Sequence, residues 1–231
     1  MAQYYVNSLP NNTTYIDLSC RMLTSLPDLS KFYNLRELNC SRNELTSLPL
    51  FNKNLQKLDC SNNQLSSLPK LNDKLQELYC SSNQLTSLPK LNNNLQILCC
   101  SDNQLTSLPP LNINLQILYC KFNLLTYLPP LNNNLQVLYC NNNQLTSLST
   151  LNKHLEKLCC SYNQLTSLPP LNNNLQELYC YHNPFYVLDS DDNIDIMKLK
   201  IYILFRFRFI YYSVKFKKQF KKWFMGTCKR T

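Results

Sequence analysis

Glycine is almost absent from this chain, with one residue among 231, although average usage of about 7% would give roughly 16. The deficit excludes a glycine-rich phosphate-binding loop, a dinucleotide-binding G-x-G-x-x-G turn and a collagen-like segment. Long apolar runs are also lacking. The closest one, residues 201–214, is interrupted by Arg206 and Arg208 and is shorter than the roughly 20 residues that span a bilayer.

The first residues have neither a basic start nor an apolar core, so we expect no secretory leader. We therefore expect a cytoplasmic protein without a membrane-spanning segment. In a reducing compartment its 12 cysteines would remain thiols.

Acidic residues are missing from the C-terminal part. Residues 197–231 contain 11 Lys and Arg and no Asp or Glu, which gives a net charge of +11. Residues 1–196 contain 12 Lys and Arg and 14 Asp and Glu, which gives a net charge of −2. The formal charge of +9 therefore belongs to the C-terminal segment, and the two parts require separate charge arguments.

What the chain does have is a repeat. Nine cysteines recur every 20 residues from Cys20 to Cys180, in the frame Leu-x-x-Leu-x-Cys-x-x-Asn-x-Leu-x-x-Leu-Pro-x-Leu. Eight copies between 35 and 189 carry the asparagine. A ninth, at 15–29, lacks it, and its Leu18 and Cys20 align with the second leucine and the cysteine of the frame. Residues 1–14 are predicted to form a half-repeat.

The spacing predicts how the repeats stack. Leu-x-Cys places two apolar side chains on one face of a short strand, and a 20-residue unit can bury them only against its neighbours. The strands should form one parallel sheet with a spacing of about 4.8 Å. The recurring asparagine can donate and accept at once, so stacked copies should form a hydrogen-bonded ladder. Leu-Pro favours an extended return segment.

The frame resembles the leucine-rich repeat family in its short bacterial type, and also asparagine-rich arrays of large DNA viruses. The resemblance implies an α/β repeat class dominated by β: a solenoid with one parallel sheet on the concave face, an extended and turn-rich convex side, and a helical C-terminal cap or tail. It further implies an effector-like protein that binds macromolecules on the concave face. The chain departs from the family in using cysteine in place of an aliphatic residue, and in lacking an N-terminal helical cap and a ubiquitin-ligase domain.

The nine regularly spaced cysteines from Cys20 to Cys180, which we call the cysteine column, could indicate metal binding or redox chemistry. However, the chain has no Cys-x-x-Cys and only two histidines, His154 and His182, whereas a zinc site needs four converging ligands. We interpret the column as small buried hydrophobes, with Cys99 and Cys159 on the opposite, exposed face. A nucleophile also needs an oriented base, and none is indicated. We predict no metal, no cofactor and no enzymatic activity.

The variable strand positions are informative because the frame does not dictate them. The residue before each column cysteine, and the residue two positions earlier, should face the concave side. These positions are polar in the first three repeats and become aromatic and aliphatic from the fourth. The predicted partner-binding patch consists of Tyr79, Ile97, Ile117, Tyr119, Phe122, Val137, Tyr139, Tyr162 and Tyr179. The alternatives are sheet stabilisation by cross-strand aromatic pairs and burial under the C-terminal tail.

The segment 190–231 is predicted to be a basic aromatic cap or tail, separate from the array at 1–189. Aromatic residues such as Phe216 and Phe220 recur there at helical spacing. The lysines predicted to bind an anionic surface are Lys215, Lys217, Lys218, Lys221 and Lys222. Residues 190–212 are interpreted as a cap on the last repeat. The basic helix has three alternative ligands: an anionic membrane surface, nucleic acid or a calmodulin-like groove.

These observations predict a non-catalytic protein–protein interaction module with an unidentified protein partner and no small-molecule substrate. The alternative is a peripheral tether to an anionic membrane or to nucleic acid through the tail. A third interpretation is a purely structural spacer.

Overall fold

The computed structural model describes residues 2–184, 194–203 and 206. Within these residues a short helix, α1, is followed by nine three-residue strands that form one parallel sheet in sequence order. The predicted solenoid with a single parallel sheet is confirmed. The elements are α1 Ala2–Ser8, β1 Tyr15–Asp17, β2 Glu37–Asn39, β3 Lys57–Asp59, β4 Glu77–Tyr79, β5 Ile97–Cys99, β6 Ile117–Tyr119, β7 Val137–Tyr139, β8 Lys157–Cys159 and β9 Glu177–Tyr179.

The strand register is regular except at the first repeat. From β2 to β9, paired residues are 20 positions apart, but Ile16 of β1 pairs with Leu38, 22 positions away. Leu18 therefore occupies the buried position that a cysteine holds in later repeats, and Cys20 is exposed. The predicted alignment of Leu18 and Cys20 with Leu38 and Cys40 is wrong.

Two additional residues between the first and second repeats cause this shift. The Leu23 carbonyl accepts from the Glu44 N–H, a separation of 21 residues where later repeats have 19. By contrast, Phe32 is already in regular spacing, since its carbonyl accepts from Asn52 Nδ2, 20 residues on. The extra residues therefore lie between Leu23 and Phe32, and the cysteine at position 20 matches the array spacing by coincidence.

The leucines and cysteines of the frame form one continuous core. Leu78, Cys80 and Leu85, for example, are fully buried, and the equivalent residues of the other regular repeats are buried with them. Burial raises the pKa of these thiols, to about 12 in Cys40. From Cys40 onwards, the interpretation of the column as small buried hydrophobes is confirmed.

The predicted asparagine ladder is also confirmed. Asn63 Nδ2 donates to the carbonyls of Cys40 and Cys60 at 3.1 and 3.0 Å, and its Oδ1 accepts from the Leu45 N–H at 3.0 Å. Each such amide satisfies buried backbone groups of its own and the preceding repeat. Because an unsatisfied buried polar group costs about 1–3 kcal/mol, the ladder holds successive turns in register.

A second asparagine ladder on the convex side was not predicted. Asn92 Nδ2 donates to the carbonyls of Asn72 and Leu75 at 2.8 and 3.0 Å, while its Oδ1 accepts from the Asn94 N–H at 2.7 Å. The two Nδ2 bonds recur at Asn112, Asn132, Asn152 and Asn172. The returning chain is therefore tied together from repeat to repeat without helices between the strands.

Short helices lie near both ends of the described chain. We predicted a half-repeat without a helical cap at the N-terminus, but α1 is helical and buries Val6 completely against the core. Near the other end, residues 194–203 are helical and bury Met197 and Ile201. Among the described residues, no helix combines the length and apolar character needed to cross a membrane.

Candidate interaction surface

The concave face is built from the first and third residues of each strand. The middle residue, such as Leu98 in β5, is buried in the core, so its neighbours on the strand point to the opposite side. On β4 to β7 these outward positions carry a group of half-buried aromatic and aliphatic side chains. We call this group the central patch, and it consists of Tyr79, Ile97, Ile117, Tyr119, Val137 and Tyr139.

The strand register brings the central patch together. Ile117 lies opposite Ile97 on one side and Val137 on the other. In the neighbouring column the rings of Tyr119 and Tyr139 stack, with centroids 4.9 Å apart and planes at 26°. Stacked pairs of this kind contribute about 1 kcal/mol, and both tyrosines are only half-buried, so part of each side chain is exposed.

Cys99 completes the tyrosine column of the central patch. It pairs with Tyr79 and Tyr119 and is only 7% exposed, so the prediction that it lies on an exposed face is wrong. Larger tyrosine side chains flank the thiol on both adjacent strands. Burial raises the pKa of Cys99 to about 12. Cys159 is half-buried, and burial raises its pKa as well.

Ion pairs border the central patch on both sides. On one side Lys57 Nζ lies 3.1 Å from Glu77, whose carboxylate also accepts from the Tyr79 hydroxyl at 2.9 Å. On the other side, Lys157 Nζ lies 2.7 Å from Glu177. Burial, followed by the bond to Glu77, raises the pKa of Tyr79, so its hydroxyl remains a donor at neutral pH. Half-exposed pairs such as these add little stability, but they give the surface a polar rim.

Three predicted site residues lie outside the central patch. Tyr179 on β9 is exposed, whereas Tyr79 is half-buried, and the intervening β8 carries Lys157 where β5 carries Ile97. Phe122 and Tyr162 follow their strands and are exposed. Tyr162 stacks on His182, with ring centroids 4.2 Å apart and an interplanar angle of 17°. The structure thus brings six of the nine predicted residues into one group.

The position two residues after each strand's cysteine has left-handed backbone geometry, which sequence reasoning did not identify. In this glycine-poor chain the position is filled by residues with a β-carbon, for which this conformation costs about 1–2 kcal/mol. Asparagine or aspartate in three copies was the available signal, since these residues tolerate it best. From the second repeat on, the residues are Arg42, Asn62, Ser82, Asp102, Phe122, Asn142, Tyr162 and His182, with φ between 52° and 55°. In the shifted first repeat the equivalent residue is Cys20, two positions after Leu18, and both Cys20 and the nearby Met22 have φ 54°.

The predicted anionic-surface site lies outside the described residues. It comprises Lys215, Lys217, Lys218, Lys221 and Lys222, and the structure gives no geometry for it. The part of the predicted cap that the structure describes is the helix at 194–203, from which Lys198 Nζ donates to the Asn173 carbonyl at 3.3 Å.

The repeat is similar to known proteins both in sequence and in structure. The profile of the family described as Leucine Rich repeats (2 copies) matches residues 53–93 and 73–112. Comparison with curated protein sequences gave no significant match.

Three solved structures illustrate the similarity. The chain resembles YopM, a leucine-rich effector protein from Yersinia pestis, with 35% identity over 74% of this chain and 49% of that chain, and a TM-score of 0.70. It also resembles the LRR domain of a Shigella effector, with 33% identity over 68% of this chain and 72% of that domain, and a TM-score of 0.63. A chain of the Drosophila Toll–Spatzle complex is 26% identical over 80% of this chain and 28% of its own length, with a TM-score of 0.59.

These relatives are mostly longer than the present chain, which spans 49% of the YopM chain. The similarity to bacterial effectors agrees with the predicted repeat type. The resemblance to asparagine-rich arrays of large DNA viruses stays a prediction.

Proposed function

The chain belongs to the leucine-rich repeat family, of the bacterial type, and we propose that it is a non-catalytic module that binds a protein partner on the concave face of its sheet. Solenoids of this family are generally interaction scaffolds, because stacked repeats create an extended concave surface. The Toll–Spatzle complex, which contains a similar chain, supports the proposal by example.

The observation that carries the proposal is the central patch. Its side chains occupy positions that the repeat frame leaves free, since the same columns hold Glu37, Asn39 and Asp59 on β2 and β3. The fold therefore forms with polar residues there. A contiguous group of half-buried apolar side chains with a polar rim is typical of a binding surface. Tyrosine suits this role, since it combines a large apolar ring with a hydrogen-bonding hydroxyl.

The test removes the stacked pair at the centre of the patch. Partners would be captured on the immobilised full chain, identified by mass spectrometry and purified, and their affinity measured by calorimetry. The double variant Tyr119→Ser and Tyr139→Ser should weaken binding at least about 100-fold, because central aromatic residues contribute about 2 kcal/mol or more each. Its circular dichroism spectrum should be unchanged.

The matched control is the double variant Tyr4→Ser and Tyr33→Ser. It removes two exposed tyrosines that lie outside the nine strands, and it should bind normally. Normal binding by the Tyr119 and Tyr139 variant would show that the partner uses another face. Unfolding of that variant would assign the two tyrosines to sheet stability instead.

A second candidate function rests on charge. The net charge of +11 in residues 197–231 favours a tether to an anionic membrane surface or to nucleic acid, through surface potential or counterion release. Deleting residues 215–231 should then abolish salt-sensitive retention on heparin and on anionic vesicles. Unchanged retention would refute the tether, and a lower melting temperature of the shortened chain would assign these residues to capping.

A further inference from the structure

The repeat that contains β6 departs from its neighbours on the surface. Six large hydrophobic residues are exposed within residues 53–184, and four of them lie between positions 113 and 127. They are Ile113, Phe122, Leu124 and Tyr127, with exposed fractions of 67%, 45%, 44% and 56%. A single exposed apolar residue needs no explanation, but a concentration in one repeat does.

The fold does not require these four residues. In the two adjacent repeats, which have the same backbone path, every equivalent position is polar. The equivalents are Asn93 and Asn133, Asp102 and Asn142, Gln104 and Gln144, and Ser107 and Ser147. The apolar residues of the β6 repeat therefore add nothing that the stacking of repeats demands, and they expose apolar surface to water.

The four residues lie on the same repeat as Ile117 and Tyr119 of the central patch, before and after β6. Ile113 precedes β6, while Phe122, Leu124 and Tyr127 follow it. Between them, Ile117 and Tyr119 of β6 face the concave side. These six residues form what we call the apolar band, which runs along one repeat and crosses the long direction of the solenoid.

A cation lies within the apolar band. Lys121 Nζ is 5.5 Å from the centroid of the Phe122 ring. The ion pairs on the sheet near the central patch join Lys57 to Glu77 and Lys157 to Glu177, and within the described residues the Lys121 ammonium is in neither of them. A cation beside apolar side chains is complementary to a ligand that carries a carboxylate next to apolar groups.

We propose that the apolar band is the recognition element for a protein partner that inserts an extended segment along the β6 repeat, with an acidic side chain at Lys121 and apolar side chains against the exposed hydrophobic residues before and after β6. This inference rests on the proposed function, because it specifies which partner the concave face accepts. The patch and the band intersect at Ile117 and Tyr119, which places the segment across the middle of the patch.

The test uses peptides selected from a random display library on the immobilised full chain, with counter-selection on the Tyr119→Ser and Tyr139→Ser variant. The selected peptides should combine Asp or Glu with apolar residues. The decisive variant is Ile113→Asn, Phe122→Asn, Leu124→Gln and Tyr127→Ser, which gives this repeat the residues found 20 positions later and leaves the central patch intact. It should lower peptide affinity roughly tenfold or more, with unchanged circular dichroism. Lys121→Glu should reverse the preference, so that basic peptides are selected.

Each other outcome has a defined meaning. If selected peptides bind the four-residue variant as tightly as the natural chain, the apolar band is not the recognition element, although the central patch still is. If no selected peptide depends on Tyr119 and Tyr139, the proposed function itself fails. If the natural chain self-associates in sedimentation and the four-residue variant does not, the band binds a second copy of the chain, and the proposed partner class is wrong.

Discussion

Raising the pH above about 9 should progressively destabilise this protein, because its core holds thiols that lose their protons far more readily in the unfolded chain. Burial raises the pKa of Cys40, Cys99 and Cys180 from 9.0 to about 12. Above pH 9.0, the reference pKa of these thiols, the unfolded state therefore binds fewer protons than the folded state. The free energy of unfolding then falls as the pH rises. At neutral pH both states keep these protons, and the thiols add no pH dependence.

The magnitude follows from the number of buried thiols. One pH unit above the unfolded pKa, each thiol costs roughly 1 kcal/mol. For all nine buried cysteines the sum is about 10 kcal/mol, comparable to the 5–15 kcal/mol that holds a typical domain folded. We therefore expect the array to unfold near pH 10. The nine are Cys40, Cys60, Cys80, Cys99, Cys100, Cys120, Cys140, Cys160 and Cys180.

The assay is urea unfolding followed by circular dichroism, from neutral pH upwards, in the presence of a reductant. A control variant, Cys80→Ala with Cys120→Ala, removes two of the thiols and should reduce the slope of free energy against pH by two protons. Stability that is unchanged up to about pH 10 would refute the reasoning. An alkaline loss with the same slope in the variant would assign the effect to other groups.

Three further predictions concern the repeat itself. Asn123→Ala should lower the free energy of unfolding by about 3–5 kcal/mol, because this buried amide forms hydrogen bonds with two cysteine carbonyls and a leucine N–H at 3.0–3.2 Å. The control Asn114→Ala, on the exposed convex turn, should lower it far less. Equal losses in the two variants would contradict the ladder. Phe122→Gly should stabilise the chain by up to about 1 kcal/mol, since φ is 52° at this residue and its ring is exposed. A lower melting temperature of the variant would show instead that the ring packs against the rest of the chain. Native alkylation should label Cys20 before Cys80, because Cys20 is exposed and Cys80 is fully buried; rapid labelling of Cys80 would contradict the register.

Much of the fold could be predicted because a strict repeat amplifies weak local signals. Leu-x-Cys in one copy would not distinguish a strand, but its recurrence requires that every copy bury the same face against its neighbours. The shift at the first repeat escaped prediction for a related reason. Ile16 and Leu18 alternate in the same way as Leu18 and Cys20, so period-2 reasoning cannot choose between the two registers. Only the backbone hydrogen bonds around the two inserted residues show which of the two registers the first repeat adopts.

The candidate site was predicted in part. The alternation of strand residues was sufficient to place Tyr119 and Tyr139 on the concave face. It could not predict that Cys99 is buried, because alternation gives the face on which a side chain lies and not how far its neighbours shield it. The left-handed geometry at Phe122 was missed because the phenylalanine carries no signal for it, and the signal lies instead in Asn62, Asp102 and Asn142 at the same position of other repeats.

The central claim, that the central patch binds a protein partner, is tested most directly by hydroxyl-radical footprinting of the purified complex. Side-chain oxidation of Tyr119 and Tyr139 should fall sharply when the partner is present, while that of Tyr4 and Tyr33 stays the same. Unchanged oxidation of Tyr119 and Tyr139 in a saturated complex would contradict the account.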